Sequence, residues 1–343
     1  MSDGKIAQSK AAQDTLSLFV LRRDFDTHLP SRPDVTIGSA LPPKHHFTVE
    51  RIFTPSDQRT YDNQFARWQQ RLFTSHRNAA GQNVPAVNAR SQRASQMIEF
   101  FPLIGHLHFE SPAEKRPKDE AYGDGNNHLD EKYNRDRESF FYEKSPMYKE
   151  FQAISYEKGK ASRLRWLLSK IQHFTDELVD AEGRPLDFAN MSPTNIAAEF
   201  VKRSPKLQAM LSLHMDWCLL RNEKMIFWFN TPILQVLAQE VLEALGYNLF
   251  SVYSHNTLEE RMRIQRHWNN PETVNRVLLA SALVFGTGFN LQKDSRAACL
   301  VDTPDSDNRE KQIIGRQYRG GQDLPVMFFR LTVRGAHSVV RFQ

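Results

Sequence analysis

From Lys224 onward, short solid apolar runs alternate with stretches whose apolar residues recur every three or four positions, the periodicities of buried strands and amphipathic helices. Met225 to Phe229 (M-I-F-W-F) holds no polar residue and predicts a strand covered on both faces; its consecutive aromatics read as core rather than as a base-stacking surface. Asn230 or Thr231 can cap the helix that follows, with Pro232 in its first turn, an amphipathic run over Ile233 to Leu245 and Gly246 at its end. Leu249 to Tyr253 predicts the next strand. Thr257 and Glu260 form a T-x-x-E capping box opening a helix over Leu258 to Trp268, which Asn270-Pro271 stops. Val277 to Ala282, Ala297 to Val301 and Val326 to Leu331 predict three more strands, with a Gly286-Thr287-Gly288 loop and a helix over Arg309 to Tyr318 between them. Strands separated by crossover helices imply an α/β fold with a parallel sheet flanked by helices.

The first 200 residues follow a different pattern, mainly helical with few strand signals. Ser56 to Phe73 places Tyr61, Phe65, Trp68 and Leu72 on one stripe, a core face. Arg163 to Phe174 and Leu207 to Leu220 carry the same period. From about 110 to 138 the chain is dense in Pro, Gly, Asn, Asp and Lys, which predicts a mobile, disordered excursion. Inside it, Asp119-Glu120-Ala121-Tyr122 mimics the metal-binding D-E-A-x of helicases. A carboxylate pair that positions magnesium should end a buried apolar strand, and this one follows P-A-E-K-R-P-K, so the match is rejected.

Composition narrows the function classes. The 343 residues are 40% hydrophobic, enough for a sizeable core, and no apolar run approaches the ~20 residues that span a bilayer. The first fifteen residues contain no apolar h-region, so no secretory signal is expected. Cys218 and Cys299, both in apolar surroundings and without C-x-x-C spacing, point to buried thiols in a reducing compartment. His45-His46 has no ligand partner at metal spacing. Residues 1–200 balance 27 Lys+Arg against 27 Asp+Glu, whereas residues 201–343 hold 18 against 13. The whole excess of +5 therefore belongs to the C-terminal part, which permits a polyanionic partner there.

The densest candidate chemistry is Q-I-I-G-R-Q-Y-R-G-G-Q, Gln312 to Gln322. If helical, it sets Arg316 and Arg319 on one face, where two planar, permanently charged forks match phosphate oxygens. An isolated R-x-x-R is most often a solvated helix face, so the neighbouring blocks decide its meaning. These blocks are Ser204-Pro205-Lys206-Leu207, Lys224 to Phe229, Thr257-Leu258-Glu259-Glu260-Arg261, Gly286-Thr287-Gly288-Phe289-Asn290-Leu291 and Gln312 to Gln322. In this order and at these spacings the chain resembles the C-terminal RecA-like lobe of Swi/Snf-type ATPases, the superfamily-two DNA translocases that include chromatin remodelers. Leu21-Arg22-Arg23, Leu41-Pro42-Pro43-Lys44 and the helix with Gln58 and Tyr61 resemble the family's stretch just after its first lobe.

The resemblance implies a RecA-like lobe over 204–343, a mainly helical region over 46–203 and a remnant of the interlobe segment over 1–45. It implies that Arg316 and Arg319 act as arginine fingers toward ATP and Mg2+, with Gln312 orienting their helix or touching the nucleotide. Gly286, Gly288 and Asn290 would form the loop coupling nucleotide to DNA, and Ser254, His255 and Asn256 would either contact phosphates of duplex DNA or form a plain strand-to-helix turn. A nuclear location, chromatin proteins as further partners and no membrane follow from the same likeness. Two departures stand out. Leu283-Val284-Phe285 replaces a basic and small residues before the loop, and Tyr253-Ser254 replaces an acidic residue and glycine. No G-x-x-x-x-G-K-[ST] phosphate loop occurs in these residues, so the expectation is half an active site, inactive unless a first lobe joins it in cis or trans. The alternative is a non-catalytic module binding DNA or protein. A dinucleotide-binding enzyme is excluded because no G-x-G-x-x-G follows the first strand.

Overall fold

The nine-residue segment Lys44–Ile52, not among the strands expected from sequence, pairs in parallel with the last strand of the chain over its whole length. The structure is a computed structural model and describes residues 28–29, 32–36, 41–69, 72–77, 83–108, 140–141, 144–285, 289–304 and 306–336. The excursion at 110–138, with its Asp119-Glu120 pair, lies outside the described residues, as do Leu21 to Arg23, Gly286 and Gly288.

In chain order the elements are β1 (His28–Leu29), β2 (Arg32–Thr36), β3 (Lys44–Ile52), α1 (Pro55–Gln69), β4 (Phe73–Arg77), β5 (Asn83–Val87) and α2 (Ala89–Phe100). After a 3-10 segment at Pro102–His108 come α3 (Pro146–Ala153), α4 (Ser162–Gln172), α5 (Pro193–Arg203) and α6 (Pro205–His214), which runs on into a π turn at Met215–Leu220. The last part contains β6 (Met225–Phe229), α7 (Pro232–Ala244), β7 (Leu249–Val252), α8 (Leu258–Trp268), β8 (Val277–Ser281), α9 (Ala282–Phe285), β9 (Ala297–Leu300), α10 (Asp307–Ile314) and β10 (Val326–Arg334).

Six strands form one parallel sheet in the order β3-β10-β9-β6-β8-β7, and β1-β2 and β4-β5 are small antiparallel pairs. Burial of β6, β8 and β9 on both faces explains their unbroken apolar runs. One face, with Met225, Phe227, Phe229, Leu279 and Cys299, shares a continuous core with the helices before it, including Tyr61, Phe65, Phe101, Phe200 and Leu207. The other face, with Ile226, Trp228, Leu278 and Leu300, packs on Trp268 of α8 and Ile313 of α10. The helical region and the sheet thus share one hydrophobic interior, and the predicted core role of the M-I-F-W-F aromatics holds.

Local signals work where they are self-contained. Thr257 Oγ1 accepts from Glu260 N and the Glu260 carboxylate accepts from Thr257 N, the complete capping box. Gly246 closes α7 at φ +88°. Two expectations are corrected. Thr231 does not cap α7 with its side chain, because its hydroxyl donates to Gln96 Oε1 of α2 at 2.7 Å. The last helix ends at Ile314 instead of Tyr318, because Gly315 forms its C-cap.

Candidate functional site

Arg316 and Arg319 therefore lie in the turns after α10 instead of on one helical face. Because α10 crosses from β9 back to β10, it runs against the strands. Arg309 in its first turn reaches Asn230, just past the carboxyl end of β6, at 3.3 Å. The turns after it sit at the amino ends: Gln317 Nε2 donates to Ala297 O, the first residue of β9, at 3.0 Å and to Ser295 Oγ at 2.9 Å. Gln322 Nε2 donates to Ser295 O at 3.1 Å and Gln292 O at 2.8 Å, while its Oε1 accepts from Leu324 N at 3.0 Å. Gln322 is thus a buried, turn-closing amide. Gln317, also fully buried, does the same work and carried no recognisable signal in the sequence.

This scaffold brings both arginines onto the segment Phe289 to Leu291. Arg319 Nη1 donates to Asn290 Oδ1 at 2.5 Å, Arg316 Nη1 donates to Phe289 O at 3.3 Å, and Leu291 N donates to Arg316 O at 3.3 Å. Partial burial, and then the Arg319 charge, pull the Arg316 pKa below the ordinary guanidinium value. Two cations held this close are complementary to an anion. The Asn290 carbonyl is fixed from α8 by Gln265 Nε2 at 3.2 Å and Asn269 Nδ2 at 2.9 Å, two contacts that sequence reading missed. Lys224, buried at the foot of β6, ties the same corner together through Trp268 O at 2.6 Å, Asn270 O at 2.7 Å and the Asp294 carboxylate. Gln312 is exposed on α10, one turn before Arg316.

Ser254, His255 and Asn256 stand elsewhere, past the carboxyl end of β7. Asn256 is committed to its turn, accepting from Tyr253 N at 2.7 Å and donating to Glu260 at 3.3 Å. Ser254 and His255 are exposed; the His255 ring stacks on Tyr253 at 5.2 Å, and Arg261 of α8 donates to Ser254 O at 2.7 Å. The sheet therefore separates the expected phosphate contacts to DNA from the expected fingers, one group at each end of the strands. Leu283, in the departure before the loop, is 54% exposed, while Val284 is buried.

The chain reverses its winding between β6 and β9, and ligands in open α/β sheets enter at the carboxyl side of such a switch point. Here the protein fills that position itself. The buried Asp302 carboxylate accepts from Asn230 N at 2.6 Å and Thr231 N at 2.7 Å, and Gln96 of α2 spans Thr231 and the Thr303 carbonyl. Burial raises the Asp302 pKa although both amides hold its charged form. Beside this plug, Lys206 and Glu99, each 1% exposed, pair at 3.1 Å. The arginine-bearing corner lies at the opposite end of the strands. Its guanidinium and amide donors suit phosphate oxygens; no group of three metal-ligating side chains occurs among the described residues. Among those residues no helix is long and apolar enough to cross a membrane.

No family model matches the chain. Among solved structures, the C-terminal part of the Fun30 ATPase domain is similar with a TM-score of 0.51 at 16% identity, covering 87% of this chain and 88% of that one. The Sulfolobus solfataricus SWI2/SNF2 ATPase core in complex with dsDNA matches with a TM-score of 0.40 at 14% identity; the match covers 85% of this chain and 41% of that longer one. The likeness to the Fun30 fragment gives this chain the same fold, an α/β RecA-like parallel sheet of six strands flanked by helices.

Proposed function

We propose that the chain is the second motor lobe of a Swi/Snf-like, ATP-dependent DNA translocase and that Arg316 and Arg319 are its arginine fingers. The observation that carries this reading is the convergence of Arg316, Arg319 and Asn290 at one corner of a RecA-like sheet, from sequence blocks 26 positions apart, with Gln317, Gln322, Gln265 and Asn269 holding the corner in shape. ATP and its Mg2+ would be held by a first lobe, in cis or trans, and would supply the phosphoryl group and the metal charge. The two guanidinium groups would neutralise the negative charge that builds on the transferring group, an effect worth about 10³ to 10⁵ in rate where such fingers are known.

Duplex DNA is the proposed polymer partner, met at the carboxyl end through exposed Ser254 and His255, and the nucleus is the proposed location. Asn256, held inside its turn, shapes that loop. The test is reconstitution: the chain alone hydrolyses no ATP, with or without duplex DNA, and DNA-stimulated turnover appears when a Swi/Snf-type first lobe is added. Turnover by the chain alone would overturn the half-site reading. A second reading, a lobe that binds without hydrolysis, is favoured by exposed Leu283 where a basic residue is expected, and predicts binding to duplex DNA or protein with no turnover in either arm.

A further inference from the structure

We propose that the outer edge of β3 is a self-association surface, on which a second copy of this chain adds its own β3 antiparallel and extends the sheet across a twofold axis. Among the described residues no strand pairs with that edge, and none of its nine residues is fully buried. The ladder to β10 runs from Lys44 to Ile52 without a register shift, and no proline interrupts it, so the free edge is long and regular enough to template another strand. Val326 N donates to Pro43 O, so odd-numbered residues point their backbone groups at β10. The even-numbered residues, Lys44, His46, Thr48, Glu50 and Ile52, then point N–H and C=O outward.

Self-complementarity selects the occupant. With Phe47 of one copy opposite Phe47 of the other, Lys44 faces Glu50, His45 faces Val49 and His46 faces Thr48, each pair on one face of the extended sheet. Lys44 and Glu50 meet twice, once on each side of the axis, and about eight backbone hydrogen bonds form between the even-numbered residues. Shifting one copy by two residues, so that Thr48 meets Thr48, sets His45 against Arg51 and loses the Lys44 pairs. Arg334 of the same chain donates twice to Glu50 Oε1 and holds the carboxylate at this edge. Phe47, 46% exposed, is braced from behind by Phe329 at 5.3 Å, which rests on Trp217 at 5.7 Å. Pro42 and Pro43 end the ladder, since neither can donate.

Sedimentation velocity on the full chain, from about 1 to 100 μM, tests this directly. The wild type should show a monomer–dimer equilibrium. Thr48→Pro removes an outward N–H and no bond to β10, so it should be monomeric throughout with unchanged far-ultraviolet circular dichroism. Lys44→Glu should weaken the dimer at least about tenfold and Lys44→Glu combined with Glu50→Lys should restore it, a test that stands even if the proline variant misfolds. A wild type that stays monomeric, as it would if the edge served a different protein, overturns the proposal. So does a dimer that survives Thr48→Pro in a folded protein, or a charge swap that fails to recover what the single change lost.

Discussion

Arg319 donates to the side chain of Asn290 at 2.5 Å, which joins the last candidate block of the chain to the loop before it and orients one guanidinium of the arginine pair. Both residues are exposed, so the contact aims Arg319 more than it stabilises the fold. Asn290→Ala should therefore lower stability by less than about 1 kcal/mol in urea unfolding, because the backbone carbonyl that Gln265 and Asn269 hold survives the change. A loss above about 2 kcal/mol would mean that the side chain is a structural member of the lobe.

The buried pair Lys206–Glu99 joins α6 to α2 and thus the sheet's helical layer to the helical region before it. Removing one partner leaves an uncompensated buried charge, so Glu99→Ala should destabilise by about 3–5 kcal/mol. Replacing both, with Glu99→Leu and Lys206→Met, should recover most of that loss. Chemical denaturation of the wild type, Glu99→Ala, Glu99→Leu, Lys206→Met and the double variant checks this, and additive effects of the last three would contradict the coupling.

Stability should fall on the acid side through His214. Its ring is buried against Tyr247 at 4.3 Å, and burial holds its pKa below the ordinary imidazole value of about 6.5. The unfolded chain binds the proton first, so this contribution is complete above pH ~6.5. It declines below that value by up to about 1.4 kcal/mol per pH unit until the folded group titrates. His214→Phe should flatten the difference in urea midpoint between pH 7.5 and 5.5, and identical profiles would rule His214 out as the source.

Burial pushes the Cys218 thiol up to about 12 and Cys299 well above its ordinary value. Neither should react with a thiol reagent at neutral pH until the chain unfolds. Absorbance kinetics with an aromatic disulfide should show two slow thiols in buffer and two fast ones in guanidinium; a fast thiol in buffer would contradict the packing of Cys218 under Arg276 O.

Much of the lobe was legible because its signals are local. An unbroken M-I-F-W-F of five residues between polar turns reads as a strand covered on both faces, and a T-L-E-E box or a glycine at φ +88° acts within one turn. The edge strand β3 escaped because its alternation is short: Phe47 and Val49 alternate with Thr48 and Glu50, but His45, His46 and Arg51 flank them, and only Val49 and Arg51 are half-buried. Thr231 stands at the N-cap of α7, but its hydroxyl is used elsewhere, because its partner, Gln96, is 135 positions away and nothing near Thr231 announces it. The arginine block was recognisable as a block, but its place at the amino ends follows from the direction of α10. A spacing of three alone suggests a shared helix face, and Gly315 ends the helix before either arginine.

The central claim is that Arg319 meets charge that develops during phosphoryl transfer, and comparing turnover with nucleotide affinity tests it most directly. In the motor completed by a first lobe, Arg319→Ala should lower kcat about 10³-fold or more while the ATP Kd changes by less than about threefold. A loss of equal size in both quantities would contradict the account and make Arg319 an ordinary ground-state contact.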